Sequence, residues 1–256
     1  SFSVFSSDIL GNIYEIFLSE KLSIVSDSIQ LIRKPENVDK DIVTTPTYII
    51  NDILRDTVIP KCQDKTDKEI LGLKFADISC GSGAFLLELF QLLNDIVIDY
   101  YLKNDTSKLI QTNIDTYKLS FETKREILLN CVFGIDKDYN AVEASKFGLL
   151  LKLLEGEDVN SVNKSNPILP NLDSNVFFGN SLINSSEIKE KKNLEIINPY
   201  DFEELKFDVI IGNPPYLKVE DMKNITPIEL PIYKDNFKSA YKQFDKYFLF
   251  IEQGLN

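Results

Sequence analysis

Short apolar runs and longer amphipathic stretches take turns along this sequence. Four runs are brief and rich in β-branched or aromatic residues: LKFADIS ending at Ser79, CVFGID from Cys131, VFFGNSLI from Val176 and FDVIIG from Phe207. Their length and abrupt polar endings predict strands, and Phe207, Val209, Ile210 and Ile211 suit a fully covered central one. Helical spacing occupies the intervals, from about Ala84 to Tyr101, Glu122 to Asn130, Tyr139 to Leu154 and Phe237 to Gly254. Upstream, Ser7-Asp8 predicts the cap of a helix with Ile9, Leu10, Ile13, Ile16 and Phe17 on one face. Thr45 is expected to cap another, opened by Pro46, with Tyr48, Ile49, Ile53 and Leu54 on its face. The polar stretches 33–40, 61–69, 104–120 and 156–175 read as connections. Strands alternating with helices imply an α/β fold with a mostly parallel sheet covered on both faces.

At 256 residues and 43% hydrophobic composition, the chain can bury the core of one large domain or two small ones. Residues 1–40 are expected as an N-terminal helical segment and 41–256 as the main domain. No apolar run approaches the length that spans a bilayer, so no membrane partner is expected. The cysteines Cys62, Cys80 and Cys131 are scattered and lack metal-ligand spacing, which fits a reducing cytoplasmic setting. Histidine is absent, removing the usual general base and zinc ligand. A formal charge of −12 argues against this piece alone gripping nucleic acid tightly.

Five motifs change the picture from fold to chemistry. DISCGSGAFL, Asp77 to Leu86, ends a strand at a carboxylate and opens a helix through a Gly-x-Gly turn. Such a turn lets backbone amides approach a ligand, although an ordinary strand-to-helix turn uses glycine too. In GIDKD, Gly134 to Asp138, Asp136 ends the next strand, where one carboxylate can accept two ribose hydroxyls, and Asp138 reads as a helix cap. The interval from Asp77 to Asp136 far exceeds the spacing of about 20 residues in dinucleotide folds. A helical insertion over 104–130 would account for it, and the interval counts against a dehydrogenase. GNSLI places Asn180 past a third strand, able to meet an adenine edge or simply to turn the chain. TPTY, Thr45 to Tyr48, reads alone as a helix start. Asn213-Pro214-Pro215-Tyr216 lifts the others, because a buried strand ending in an amide, two prolines and an aromatic ring is not what core packing requires.

The order TPTY, DISCGSGAFL, GIDKD, GNSLI, FDVIIGNPPY resembles the amino-methylating DNA methyltransferases whose cofactor motifs precede the catalytic one. The upstream ILGNIYEIFL is similar to the helical lead-in of adenine methylases in type I and combined restriction-and-modification enzymes. The resemblance implies a Rossmann-like methyltransferase sheet and the cofactor S-adenosyl-L-methionine. The implied partner is double-stranded DNA with its target adenine flipped out, alongside fused or associated specificity and nuclease domains. It assigns cofactor binding to Thr45, Asp77, Ser79, Cys80, Gly81, Gly83, Asp136, Lys137, Asn180, Ser181 and Asn213, and catalysis to Asn213, Pro214, Pro215 and Tyr216. Within that set Thr45 and Asp77 face the methionine part, Asp136 the ribose and Asn180 the adenine. Relatives often carry Asp at the Asn180 position and Tyr where Thr44 stands.

An exocyclic adenine nitrogen is a poor nucleophile, because its lone pair is delocalised into the ring. The Asn213 side-chain oxygen and the Pro214 carbonyl are placed in sequence to accept its two hydrogens, and the prolines fix that backbone. Tyr216 offers a flat face to an extruded base. No histidine is needed, and no cysteine follows a proline as cytosine-C5 chemistry requires. Cytosine-N4 relatives usually carry Ser where Asn213 stands. Two readings stay open beside this one: a protein-glutamine or ribosomal-RNA N-methyltransferase, and a non-catalytic S-adenosylmethionine-binding module. The sheet is expected to continue past Asn256, with target recognition and phosphate grip on residues outside this chain. The stretch 217–236, with Lys218, Lys223 and Lys234, is expected as a loop that moves in the absence of DNA.

Overall fold

Residues 20–25, 28–33, 45–162, 167–184 and 206–256 are described by a computed structural model of the chain. The first described elements are two strands, β1 (Glu20–Val25) and β2 (Ser28–Arg33), paired antiparallel. The expected helix over 9–17 lies outside the described residues. Over 20–25 and 28–33 a helical segment is corrected to these paired strands, where Leu22, Ser23 and Ile24, and Ile29, Gln30 and Leu31, alternate with period two.

Helix α1 (Thr47–Cys62) and the single turn α2 (Asp67–Ile70) lead into β3 (Phe75–Asp77). Helix α3 (Ala84–Asn104) follows the glycine turn, then a small hairpin of β4 (Ile110–Asn113) and β5 (Thr116–Lys118). Next come α4 (Phe121–Cys131), β6 (Val132–Asp136), α5 (Tyr139–Leu154) and the short α6 (Val159–Val162). Strands β7 (Val176–Phe178) and β8 (Val209–Ile210) precede α7 (Val219–Ile225), α8 (Glu229–Asn236) and α9 (Lys246–Leu255). The central sheet runs β7-β6-β3-β8 with all its described pairs parallel. That order carries the carboxyl ends of β3, β6, β7 and β8 to one edge, where open α/β sheets bind ligands.

Strand alternation divides the core. Phe75, Val132 and Val176 face a large cluster built with α1, α3, α4 and α5, including Leu54, Leu86, Phe90, Leu93, Leu128 and Leu149. Ala76, Ile78, Phe133 and Ile135 point the other way and meet Phe177, Phe207 and Phe250 of α9. A buried leucine or phenylalanine contributes about 1.5–3 kcal/mol, so both faces hold the sheet between layers. A third cluster, with Met222, Ile232, Tyr233 and Leu249 buried beside Leu182 and Ile183, packs α7, α8 and α9 together.

Helix α1 buries Ile50, Leu54, Val58 and Cys62, one residue every fourth position, and leaves Tyr48 and Ile49 outward. The expected face is therefore rotated, because the four-residue row is what meets α3. Helix α4 runs into β6 with no residue between Cys131 and Val132. The junction is held by the buried Asn175, whose side-chain nitrogen donates to the carbonyls of Leu128, Leu129 and Val132. Strand β8 is corrected from a fully covered central strand to the end of the described order, with Ile210 37% exposed. No described helix is long and apolar enough to cross a membrane.

Candidate active site

The glycine turn is fastened to the sheet before it becomes a helix. Asp77 closes β3 with its carboxylate buried, accepting the Ser79 amide at 2.9 Å. The Cys80 amide donates to the Ile135 carbonyl of β6 at 3.0 Å, and the Gly83 amide returns to the Cys80 carbonyl at 2.8 Å. Gly83 sits at φ 90°, where a Cβ would stand 2.3 Å from the Ser145 hydroxyl of α5. Only glycine lets α3 lie this close to α5. A Cβ on Gly81 would instead meet nothing within 4 Å, so that side of the turn is open.

Asp136 draws the same turn toward β6. Its Oδ2 accepts the Gly81 amide at 2.9 Å and its Oδ1 the Asp138 amide at 2.8 Å. Asp138 caps α5, accepting from Asn140 and Ala141, as the sequence suggested. Burial pushes the Asp77 carboxyl up to about 7 against the pull of the Ser79 amide, with neighbouring Asp136 adding to the rise. Burial also raises Asp136, while the Asp138 and Gly81 amides hold it back. A buried and a half-buried carboxyl, both held toward their neutral form, thus sit beside an open glycine backbone.

The fourth strand reaches the Asp77 carboxyl through Gly212, at φ 147°. A Cβ there would stand 2.4 Å from the Asp77 Oδ1, so the backbone rests directly on the carboxylate. Asn213 comes next, and its side-chain nitrogen donates to the Thr45 hydroxyl at 3.1 Å. TPTY and NPPY, 168 positions apart, thus meet side by side. The cap expected of Thr45 is corrected: Pro46 occupies the cap position without a side-chain bond, and the Thr45 hydroxyl serves Asn213 instead. Pro214 is half-buried, Pro215 is exposed, and the Tyr216 ring is 56% exposed.

Past β7, both ends of the buried Asn180 amide bond within the protein. Its nitrogen donates to the Tyr233 hydroxyl at 3.3 Å and its oxygen accepts the Leu182 amide at 2.9 Å. The Ser181 hydroxyl donates to the Ile78 carbonyl, tying this turn under β3. Tyr233 in turn donates to Glu229 at 2.5 Å, and Lys246 lies 3.5 Å from the same carboxylate. Burial works to raise Glu229, yet the charges of Lys246 and Lys137 and the Tyr233 hydroxyl together leave it below the usual carboxylate range. The Lys137 charge is thus felt at Glu229 of α8.

The stretch 217–236, expected as a loop, is corrected to two short helices over Val219–Ile225 and Glu229–Asn236, with Val219, Met222, Leu230 and Ile232 buried. The helix expected over 237–254 begins instead at Lys246, capped by Asp245. Sequence reasoning missed Gly212, Tyr233, Glu229, Asp245 and Tyr247 as site neighbours. Asp245 carried the findable signal, an acidic residue immediately before the amphipathic run KYFLFIE.

Known proteins share this frame. The chain is 59% identical over its full length to the type II restriction enzyme and methyltransferase RM.Eco57I of Escherichia coli, and spans 26% of that relative's length. RM.MjaORFECS2P of Methanocaldococcus jannaschii is 36% identical over 124 residues, covering 47% of this chain and 9% of its own. Among solved structures, the type IIL restriction-modification enzyme MmeI in complex with DNA aligns with 97% of this chain and 31% of its own. Its TM-score is 0.55 and its identity 16%, a likeness of fold. Residues 130–256, which carry Asp136, Asn180 and the Asn213 motif, match the family model for the Eco57I restriction-modification methylase.

Proposed function

We propose that this chain is the catalytic methyltransferase part of a restriction-modification enzyme. It moves a methyl group from S-adenosyl-L-methionine to the N6 amino group of an adenine flipped out of double-stranded DNA. The observation that carries the reading is the meeting of Asp77, Gly212 and Asn213, which sets an amide acceptor beside a buried carboxyl.

The residues fit the cofactor on chemical grounds. Each oxygen of Asp136 takes one backbone amide, and a carboxylate oxygen has two acceptor sites, so a ribose diol can be received on the second. Asp77 and Asp136, once ionised, favour a cationic ligand, and the open side of Gly81 leaves room for one against the backbone. Ser79, Cys80 and Gly83 act through the turn they shape. When bound, S-adenosyl-L-methionine supplies a methyl group on a sulfonium centre with a neutral thioether as leaving group.

On the target side, the Asn213 oxygen and the Pro214 carbonyl accept the two N6 hydrogens, drawing the nitrogen lone pair out of ring conjugation. Thr45 holds the Asn213 nitrogen and thereby sets which end of the amide meets the base. Pro214 and Pro215 keep the carbonyl in place before reaction. The outward Tyr216 ring provides the stacking face for a base taken out of the duplex. The transfer is direct, with no covalent enzyme intermediate, and one amino proton leaves as the lone pair returns to the ring. RM.Eco57I couples restriction and methyl transfer by its name, and we place nuclease and specificity functions for this chain in fused or associated partners.

A labelled-methyl transfer assay tests the reading, with duplex DNA, ribosomal RNA and protein offered to the full-length protein. Label in N6-methyladenine of DNA is expected. Label in cytosine, in RNA or in glutamine would replace the substrate, and binding of S-adenosyl-L-methionine without any transfer would remove the enzyme.

A further inference from the structure

Tyr216 faces a mechanical problem if it is to receive a base. A ring 56% exposed is not fixed by its own burial, and an unfixed aromatic side chain loses rotamer entropy whenever a base stacks on it. The structure supplies a mount from the first turn of α9. The Tyr216 and Tyr247 rings lie 5.5 Å apart with their planes at 52°. Phe248 also meets the Tyr247 ring, edge-on with centroids 4.4 Å apart.

The backbone beyond Tyr216 is clamped to the same turn. Asp245 Oδ1 accepts the Leu217 amide at 2.8 Å and also caps α9 through the Tyr247 amide at 3.5 Å. The Lys246 amide donates to the Leu217 carbonyl at 2.9 Å, and the Val219 amide donates to the Phe244 carbonyl at 3.0 Å. Lys218 and Asp245 form an antiparallel bridge between these segments. Behind the clamp, Lys246 is 3% exposed and paired with the buried Glu229, which ties α9 to α8. One carboxylate therefore serves both the cap of a helix and the exit of the NPPY segment.

We propose that Asp245 and Tyr247 are positioning residues for the target base. Tyr247 holds the Tyr216 ring in its receiving orientation, and Asp245 fixes the backbone on which that ring is carried. This inference rests on the adenine-methylating reading above and adds residues that act through Tyr216.

The test uses the full-length protein with two duplexes, one with adenine at the target for turnover and one with 2-aminopurine there, whose fluorescence rises when it leaves the stack. Tyr247→Leu keeps side-chain bulk but loses the aromatic contact. It is expected to lower kcat/KM for DNA about tenfold and to weaken the 2-aminopurine signal, with the dissociation constant for S-adenosyl-L-methionine unchanged. Tyr247→Phe restores most of the turnover. Asp245→Ser retains a helix cap but is too short to reach Leu217, and it lowers kcat/KM several-fold in the same pattern. In a Tyr216→Ala background Tyr247→Leu has no further effect, because the two act as one unit.

The inference is overturned if Tyr247→Leu changes kcat/KM less than twofold, or if it costs the same in the Tyr216→Ala background. It is equally overturned if cofactor affinity falls in step with turnover. A wild-type protein that methylates no DNA removes the underlying reading instead, so the two failures are told apart.

Discussion

The two halves of the site are built on opposite principles. On the proposed cofactor side, Asp77 is buried and Asp136 half-buried at the end of the sheet, both bonded to backbone amides around the glycine turn. On the target side, Tyr216 is half outside the protein, and its placement comes from contacts made by the chain after it. A small ligand that must be oriented in all its parts suits a deep, preorganised pocket. A base delivered from a long polymer needs an open face, so rigidity there has to be imported from a neighbouring helix. Gly212 and the Thr45–Asn213 bond are where the two halves touch.

Removing the acceptor should separate the halves most clearly. Asn213→Ala is expected to lower methyl transfer by about 10³-fold, the scale seen when one preorganised polar group is lost, with cofactor affinity little changed by calorimetry. Gly212→Ala acts on both sides at once. Its Cβ would press the Asp77 carboxylate at a backbone angle that L residues rarely adopt, and a loss of about 2–4 kcal/mol of unfolding free energy is expected by denaturant titration. Cofactor binding should weaken in the same variant; a Gly212→Ala protein with wild-type stability and affinity would show that the halves are not joined there.

The next effect is one of pH. The Asp77 carboxyl, held up to about 7, stays largely neutral below that value, whereas a cationic ligand favours the anion. Affinity for S-adenosyl-L-methionine should rise by up to about tenfold per pH unit between about pH 5 and 7, then level off. The ligand-free protein should lose stability over about pH 4–7, because its folded form binds a proton that the unfolded chain releases. Asp77→Asn should flatten both profiles. The smallest effect is expected of Thr45→Val, which leaves the Asn213 amide without its hydroxyl partner. A fall of about three- to tenfold in kcat with cofactor affinity kept would place Thr45 with the target half, and the reverse would place it with the cofactor half.

Much of this was legible because the chemistry lies where periodicity changes. The bounds of α5 follow directly from the pattern between Asp138 and Leu154, and the strand endings at Asp77, Asp136 and Phe178 mark the site edge. What stayed hidden is tertiary in origin. Helix α8 carries Pro231 in its first turn and only eight residues, so nothing local commits it to helix until Ile232 and Tyr233 find Leu182 and Ile183. The Asp245 cap was obscured by the apolar Phe237 and Phe244 upstream, which extend the apparent helix into what is a bend. The Asn180 amide illustrates a different limit. Its residue type allows a ligand contact, but only coordinates reveal that Tyr233 and Leu182 engage it.

The seam between Cys131 and Val132 constrains how such a protein can change. Because helix passes into strand there without any slack, the position of Asp136 is counted off from α4 residue by residue, and the Asn175 side chain checks the count. One inserted amino acid at that seam would send alternate side chains of β6 to the opposite layer and carry the Asp136 carboxylate off its mark. Length variation among relatives should therefore gather before Phe121 or after Leu154 and spare this junction.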